Sequence, residues 1–330
     1  MGLTVAVTGP TGTFGHGLMP LLQADERVER VTGIARRPFD PVREGWTKLA
    51  FRQGDVRDRA ALRQAFEGAD VVVHLAFVVT GAGAGRERIR AINVDGTRNA
   101  FAAAAEAGAG RFVYASSVAA YGFDRDNPIG MTEDRPVRRA AHLFYAQEKA
   151  EIEQLLAAEA VLQPELDVYV LRPPIVLGPH TTGAKTLWPG ALEPVGRALA
   201  AAIGRLPIPL PAIVPPLPLQ FVHEDDVGDA LLRCVLGAGP PGAYNVAGDG
   251  VLTAVDVARE LGLAVLPVPG GPLQAAARVL AGVPFAPPVA GWAEAMSHPA
   301  IVDTAKARRE LGWRPRYSGL EALRDTLRRR

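Results

Sequence analysis

The chain has 330 residues, 48% of them hydrophobic and 22% charged, with a formal net charge of +1. That balance suits one large α/β domain, or a domain with a lobe, and excludes a basic stripe for nucleic acid. The single cysteine, Cys234, excludes an intramolecular disulfide framework and reads as a small buried residue in a reducing compartment. The six histidines lack metal-ligand spacing, so no metal is expected. The longest apolar stretch, Pro207–Leu219, is too rich in proline to cross a bilayer as a helix. No targeting segment is recognisable, and a cytoplasmic protein without membrane or nucleic-acid partners is expected.

Strand-like apolar runs fall at Leu3–Thr8, Arg30–Ala35, Leu49–Gln53, Val71–Ala76, Arg111–Ser116 and Asp167–Arg172. Helical stretches at Gly12–Gln23, Arg59–Phe66, Arg86–Ala107 and His142–Gln163 separate most of them. Such alternation predicts a Rossmann-type, doubly wound parallel sheet with helices on both faces and a ligand at the carboxyl ends of its strands. After Pro173 proline and glycine rise. Two short αβ pieces remain there, Glu224–Leu236 with Ala243–Val246 and Thr253–Leu261 with Ala264–Val268. Residues 1–173 are therefore read as a dinucleotide-binding domain and 174–330 as a smaller substrate lobe interleaved with it.

Between the first strand and helix stands Thr8-Gly9-Pro-Thr11-Gly12-Thr13-Phe14-Gly15. Gly9 permits the tight turn, Gly12 lets the backbone approach a pyrophosphate, and Gly15 lets helix pack on strand. The helix amino terminus adds N–H donors and partial positive charge. The second strand ends Ile34-Ala35-Arg36-Arg37, with no acid for a ribose hydroxyl. A guanidinium pairs a 2′-phosphate in a forked geometry, so NADP(H) is expected in preference to NAD(H).

Tyr145 and Lys149 in Tyr145-Ala-Gln-Glu-Lys149 are four apart and share one helix face. A phenol with a pKa of about 10 needs a nearby positive charge to exchange protons near neutrality. The fifth strand ends in Ser116-Ser117, where an α/β sheet places a reacting group. Asn93-Val-Asp-Gly-Thr97, Gly54-Asp55-Val56, Phe221-Val-His-Glu-Asp-Asp-Val227 and Asp303-Thr-Ala-Lys-Ala-Arg-Arg-Glu-Leu-Gly-Trp313 complete the pattern. With these motifs the chain resembles, over almost its whole length, the extended short-chain dehydrogenase/reductases of the epimerase/dehydratase branch.

The resemblance implies that Ser117 polarises a substrate oxygen, Tyr145 passes the proton, and Lys149 holds the nicotinamide ribose and lowers the Tyr145 pKa. It implies that Asp55 and Val56 flank adenine and that Leu75, Ala76 and Phe77 line the dinucleotide. Asn93 would lie beside the site and Pro173 would touch the nicotinamide. Members of that family often form a homodimer through a four-helix contact, which in this chain would use the helices Arg86–Ala107 and His142–Gln163, although the sequence leaves the oligomeric state open. His74 and His142 are read as packing or surface hydrogen-bonding residues.

The chain departs from the nucleotide-sugar members of that family. Ile175 replaces an asparagine, Leu219 replaces an arginine, and no arginine occurs between Arg278 and Arg308. A diphosphate would then be poorly compensated. Pro207–Leu219, Trp188, Phe285 and Trp292 offer apolar cover instead. The leading expectation is hydride transfer between NADP(H) and a carbonyl or alcohol of an apolar, non-nucleotide small molecule. A nucleotide-sugar epimerase or dehydratase with retained NAD(P), and a non-catalytic NADP(H)-sensing protein, are the alternatives.

Overall fold

The computed structural model describes residues 2–79, 85–140, 143–181, 211–214, 216–267 and 298–328. In chain order come β1 (Leu3–Thr8), α1 (Thr13–Ala24), β2 (Val28–Ala35), β3 (Leu49–Gln53), α2 (Arg59–Phe66) and β4 (Val71–His74). The run from Arg86 is not one unbroken α-helix. It comprises α3 (Arg86–Arg90), a π-helical turn Ala91–Asp95, and α4 (Gly96–Glu106). Then follow β5 (Arg111–Ala115), α5 (Phe144–Val161) and β6 (Asp167–Arg172).

The strands form a seven-stranded sheet, and every neighbouring pair in it is parallel. Its order is Gly242–Asn245, β6, β5, β4, β1, β2, β3. The chain thus reverses direction of travel between β1 and β4, and the crevice at their carboxyl ends is where such a sheet takes a ligand. Alternate side chains serve two cores, as expected for a sheet covered on both faces. Val5, Val7, Val71 and Val73 face one layer with Leu18, Leu22, Leu231 and Trp313, whereas Ala6 and Val72 face the other with Phe66, Phe101 and Phe112.

The division at residue 173 is not a clean one in space. Gly242–Asn245 pairs with β6 and extends the nucleotide-binding sheet, although it lies far beyond Pro173 in the chain. The helix Glu224–Val235 before it packs on α1 through two glycines. A Cβ on Gly17 would stand 2.2 Å from the Glu224 carbonyl oxygen, and one on Gly228 would stand 2.2 Å from that of Gly17. Asp226 anchors the C-terminal segment: its carboxylate accepts from the amides of Arg316 (2.9 Å) and Tyr317 (3.1 Å), and its carbonyl accepts from Trp313 Nε1 (2.9 Å).

Among the described residues the remaining strands make three two-stranded ribbons. Ile175–Leu177 pairs with Phe221–His223, Pro218–Leu219 with Leu252–Thr253, and Pro211–Val214 with Ala264–Pro267. Leu219 is not a free apolar wall: it packs on a small core around Leu177, Phe221 and Leu323. Trp188, Phe285, Trp292 and His142 lie outside the described residues. Among the described residues no helix is long and apolar enough to cross a membrane, and no group of three or more His, Cys, Asp or Glu could hold a metal ion. Cys234 is fully buried, and burial pushes its thiol up.

Gly17→Ala should lower stability by about 1–3 kcal/mol, the usual cost of overpacking, because backbone rather than a flexible side chain blocks the new methyl. Gly12→Ala, whose Cβ would meet nothing closer than 3.4 Å, should be nearly neutral. Paired thermal melts check this, and equal midpoints for the two variants would contradict it.

Candidate active site

The turn after β1 is shaped by close approach. Gly9 adopts φ +69°, and a Cβ there would sit 3.0 Å from the Ala76 backbone. A Cβ on Gly15 would fall 2.0 Å from the Pro10 carbonyl oxygen. Gly12, by contrast, is exposed and caps α1 without a side-chain hydrogen bond. The helix amino terminus is thereby left open to an anion, so these residues fit a dinucleotide pyrophosphate. Thr11 is exposed beside it, Thr13 donates to the His180 carbonyl at 3.2 Å, and Phe14 packs on the main core.

Thr8 ties β1 to the end of β4. Its Oγ1 accepts from the amides of Leu75 and Ala76, both at 3.2 Å, and lies 2.8 Å from His74 Nδ1. The other imidazole nitrogen is 3.1 Å from Thr97 Oγ1, which itself donates to the Asn93 carbonyl at 2.5 Å. With the Thr97 proton so committed, Nε2 carries the imidazole proton and Nδ1 accepts from Thr8. Burial, with the Lys149 charge beside it, pushes the His74 pKa down to about 3. His74 is thus a neutral structural bridge between Thr8 and Thr97.

At the adenine end, Arg36 and Arg37 are exposed just past β2. Asp55 is half-buried and forked to Arg57 at 3.0 and 2.8 Å. That hydrogen-bonded pairing holds its carboxyl below the usual range. Val56 is buried, under Gly96.

The groups from β5 and α5 meet on the same side of the sheet. Ser117 caps a short 3-10 turn, Val118–Tyr121, and its Oγ accepts from the Ala119 amide at 3.1 Å. The Pro173 carbonyl accepts from the Val118 amide at 3.0 Å, which sets the turn against the end of β6. Tyr145 stands in the first turn of α5 and hydrogen-bonds Ser117. Burial pushes its phenol up, and the Ser117 bond works in the opposite direction.

One helical turn on, Lys149 is only 2% exposed. Its Nζ donates to Tyr114 Oη at 3.0 Å and to the Ala115 carbonyl at 2.8 Å, and lies 3.8 Å from the Phe77 ring centroid. Burial lowers its pKa to about 7, against the pull of Glu153 and Glu148. The Phe77 ring meets the Tyr145 ring edge-on at 5.6 Å.

Sequence reasoning missed the polar support beneath these groups. Glu153 receives Arg172 at 2.6 Å and the Ser116 hydroxyl at 2.5 Å, all buried. Arg172 also donates to Tyr121 Oη at 2.7 Å, which donates to Asn245 Oδ1 at 2.8 Å. The spacing Tyr145, Lys149, Glu153, each four apart, was the available signal for Glu153. Nothing in the sequence pairs Arg172 with Asn245, because a strand-to-strand neighbour is set by the sheet.

Comparison with known proteins places the chain in a family. A family model described as the NAD dependent epimerase/dehydratase family matches residues 5–247, and the chain belongs to that family. Its members are NAD-dependent enzymes. The chain is 27% identical over 332 residues to the Mycobacterium tuberculosis protein Rv0501, covering 99% of this chain and 84% of that one. It is 33% identical over 181 residues to sterol demethylase protein B of Methylococcus capsulatus, covering 54% of this chain and 52% of that one. The solved structure of DesIV, a dTDP-glucose 4,6-dehydratase from Streptomyces venezuelae with NAD and TYD bound, superposes with a TM-score of 0.72 at 24% identity. That match covers 99% of this chain and 96% of that one and shows the shared fold.

The Lys149 ammonium carries a pH signature. Its native pKa of about 7 lies below the unfolded value of about 10.4. Between the two the unfolded state binds the extra proton, so this lysine makes stability rise with pH by up to about 1.4 kcal/mol per unit. Denaturant unfolding without cofactor should show the gap between wild type and Lys149→Met shifting in favour of wild type from pH 7 to 9. Parallel curves would count against a depressed lysine.

Proposed function

We propose that the protein is a Ser-Tyr-Lys oxidoreductase that uses NADP(H) in preference to NAD(H) and acts on a carbonyl or alcohol of an apolar, non-nucleotide small molecule. The observation that carries the reading is the meeting of Ser117, Tyr145 and Lys149 beside the glycine-shaped turn of Gly9–Gly15. When bound, the nicotinamide supplies or accepts the hydride at the substrate carbon. Ser117 donates to the substrate oxygen and orients it. Tyr145 gives that oxygen its proton on reduction and takes it on oxidation. Lys149, held by Tyr114 and the Ala115 carbonyl, keeps a positive charge within reach of the phenol and lowers the cost of its ionised form. Asp55, Val56, Leu75, Ala76, Phe77, Asn93 and Pro173 line or support the dinucleotide in this reading, with Arg36 and Arg37 on the 2′-phosphate.

The apolar substrate class is supported by what stands at the positions for a diphosphate. Ile175 is 41% exposed and uncharged, and Leu219 is committed to the lobe's small core. The relative named for sterol demethylation points the same way. The family's name favours a second reading, a nucleotide-sugar epimerase or dehydratase that retains its cofactor.

Tyr145→Phe should keep cofactor binding and lose about 10²–10⁴-fold in turnover, since the ring still packs but the transferable proton is gone. Near wild-type ketone reduction by this variant would remove Tyr145 from the chemistry.

Replacing Arg36 and Arg37 with alanine should weaken NADP(H) binding by about 1.5–3 kcal/mol per lost charge-assisted contact and leave NAD(H) binding little changed. Fluorescence titration of both cofactors checks this. Tighter NAD(H) binding by the wild type would reverse the assignment.

Calorimetry of the cofactor-loaded protein should find no binding of uridine- or thymidine-diphosphate sugars, each missing donor forfeiting about 1.5–3 kcal/mol. Micromolar binding of any of them would favour the second reading.

A further inference from the structure

Tyr145, Glu148 and Lys149 occupy positions i, i+3 and i+4 of α5 and so lie on one face of that helix. Glu148 is 1% exposed, and its Oε2 accepts from Asn93 Nδ2 at 2.7 Å. Its Oε1 is buried with no hydrogen-bond partner among the described residues. A buried carboxyl with one oxygen unpaired is costly, so stability alone does not account for it.

The use of Asn93 is specific. Its Oδ1 accepts from the Val78 amide at 2.8 Å, and its Nδ2 donates to the Val78 carbonyl at 2.9 Å. The carboxamide thus pairs with both backbone groups of Val78, as a neighbouring strand would, beyond the point where β4 ends. Asn93 presents it from the π-helical turn, and such turns interrupt α-helices frequently at functional sites. The Val78 amide and carbonyl already decide which end of the carboxamide is oxygen, and its second N–H, directed at Glu148, ties the correctly oriented group to α5. Val78 in turn fixes Phe77, whose ring stands 3.8 Å from the Lys149 ammonium and edge-on to Tyr145.

From this juxtaposition we infer that Glu148 is a positioning residue: by tying the Asn93 carboxamide to α5 it holds Phe77–Val78 against Lys149 and Tyr145 and keeps the nicotinamide end of the cofactor site in shape. The inference rests on the oxidoreductase reading above.

Four variants test it, read by dihydronicotinamide fluorescence titration with NADPH and NADH and by thermal melting. Glu148→Met matches the volume and removes the acceptor. It should melt at or above the wild-type temperature yet bind NADPH about tenfold more weakly. Glu148→Gln keeps an acceptor for Asn93 and should bind within about twofold of wild type. Asn93→Asp sets two carboxyl groups against each other and should also lose about tenfold, and Glu148→Gln added to it should recover part of that loss by restoring a donor between them. Wild-type cofactor affinity in Glu148→Met overturns the proposal, as does a Glu148→Gln variant that loses as much as Glu148→Met, or a double variant no better than Asn93→Asp. If wild-type protein binds neither NADPH nor NADH, the oxidoreductase reading falls and this inference with it. If wild type binds and Glu148→Met binds equally, the inference alone falls.

Discussion

Taking an ammonium group out of water costs several kcal/mol unless the interior returns what water supplied. Lys149 is such a group, and much of the surrounding construction answers it. Tyr114 and the Ala115 carbonyl, both from β5, accept its protons, and the Phe77 ring offers its negative face. Glu153 and Glu148, from its own helix, supply opposite charge. These partners come from the ends of β4 and β5 and from α5, so the lysine can be held only when those elements are docked. The lysine is therefore set beside the phenol only in the assembled fold.

Assembly at that point depends on backbone approach rather than side-chain filling. Gly9 lets the turn after β1 touch Ala76 after β4, and Thr8 bridges the same two strands with its hydroxyl. Gly17 and Gly228 let α1 and a helix from far along the chain touch backbone to backbone. The layer that would bind a dinucleotide is in this way braced by residues beyond 220, and a strand from that region, Gly242–Asn245, closes one edge of the sheet. The Asn245 side chain then reaches Tyr121 and, through it, Arg172 and Glu153. Residues after Pro173 are thus wired into the polar floor under Ser117 and Tyr145.

The family membership and the geometry bear on different parts of the chemistry. Membership brings a nicotinamide-dependent enzyme, while the proposed substrate class rests on particular residues. Ile175 and Leu219 offer no charge to a diphosphate, and Leu219 spends its surface on the lobe's own core. The Asn93–Glu148 clasp concerns neither substrate nor phosphate. Its proposed role is to shape the nicotinamide end of the cofactor site.

Much of the fold was legible in the sequence because its signals are local. Alternating apolar runs named all six strands from Leu3 to Arg172, with ends shifted by no more than two residues, and the glycine spacing named the turn after β1. The four-residue step from Tyr145 to Lys149 put both on one face of α5. Other features were beyond such reading. The π-helical turn that aims Asn93 leaves no mark in hydrophobic periodicity, and its carboxamide bond to Val78 spans residues fifteen apart. Arg172, Tyr121 and Asn245 are joined only because β6 and Gly242–Asn245 lie side by side. Residue type and spacing determined which groups this chain has for chemistry. The tertiary structure decided which of them are dehydrated and what each one touches, because burial and hydrogen-bond partners arise from contacts between segments that the linear order keeps apart.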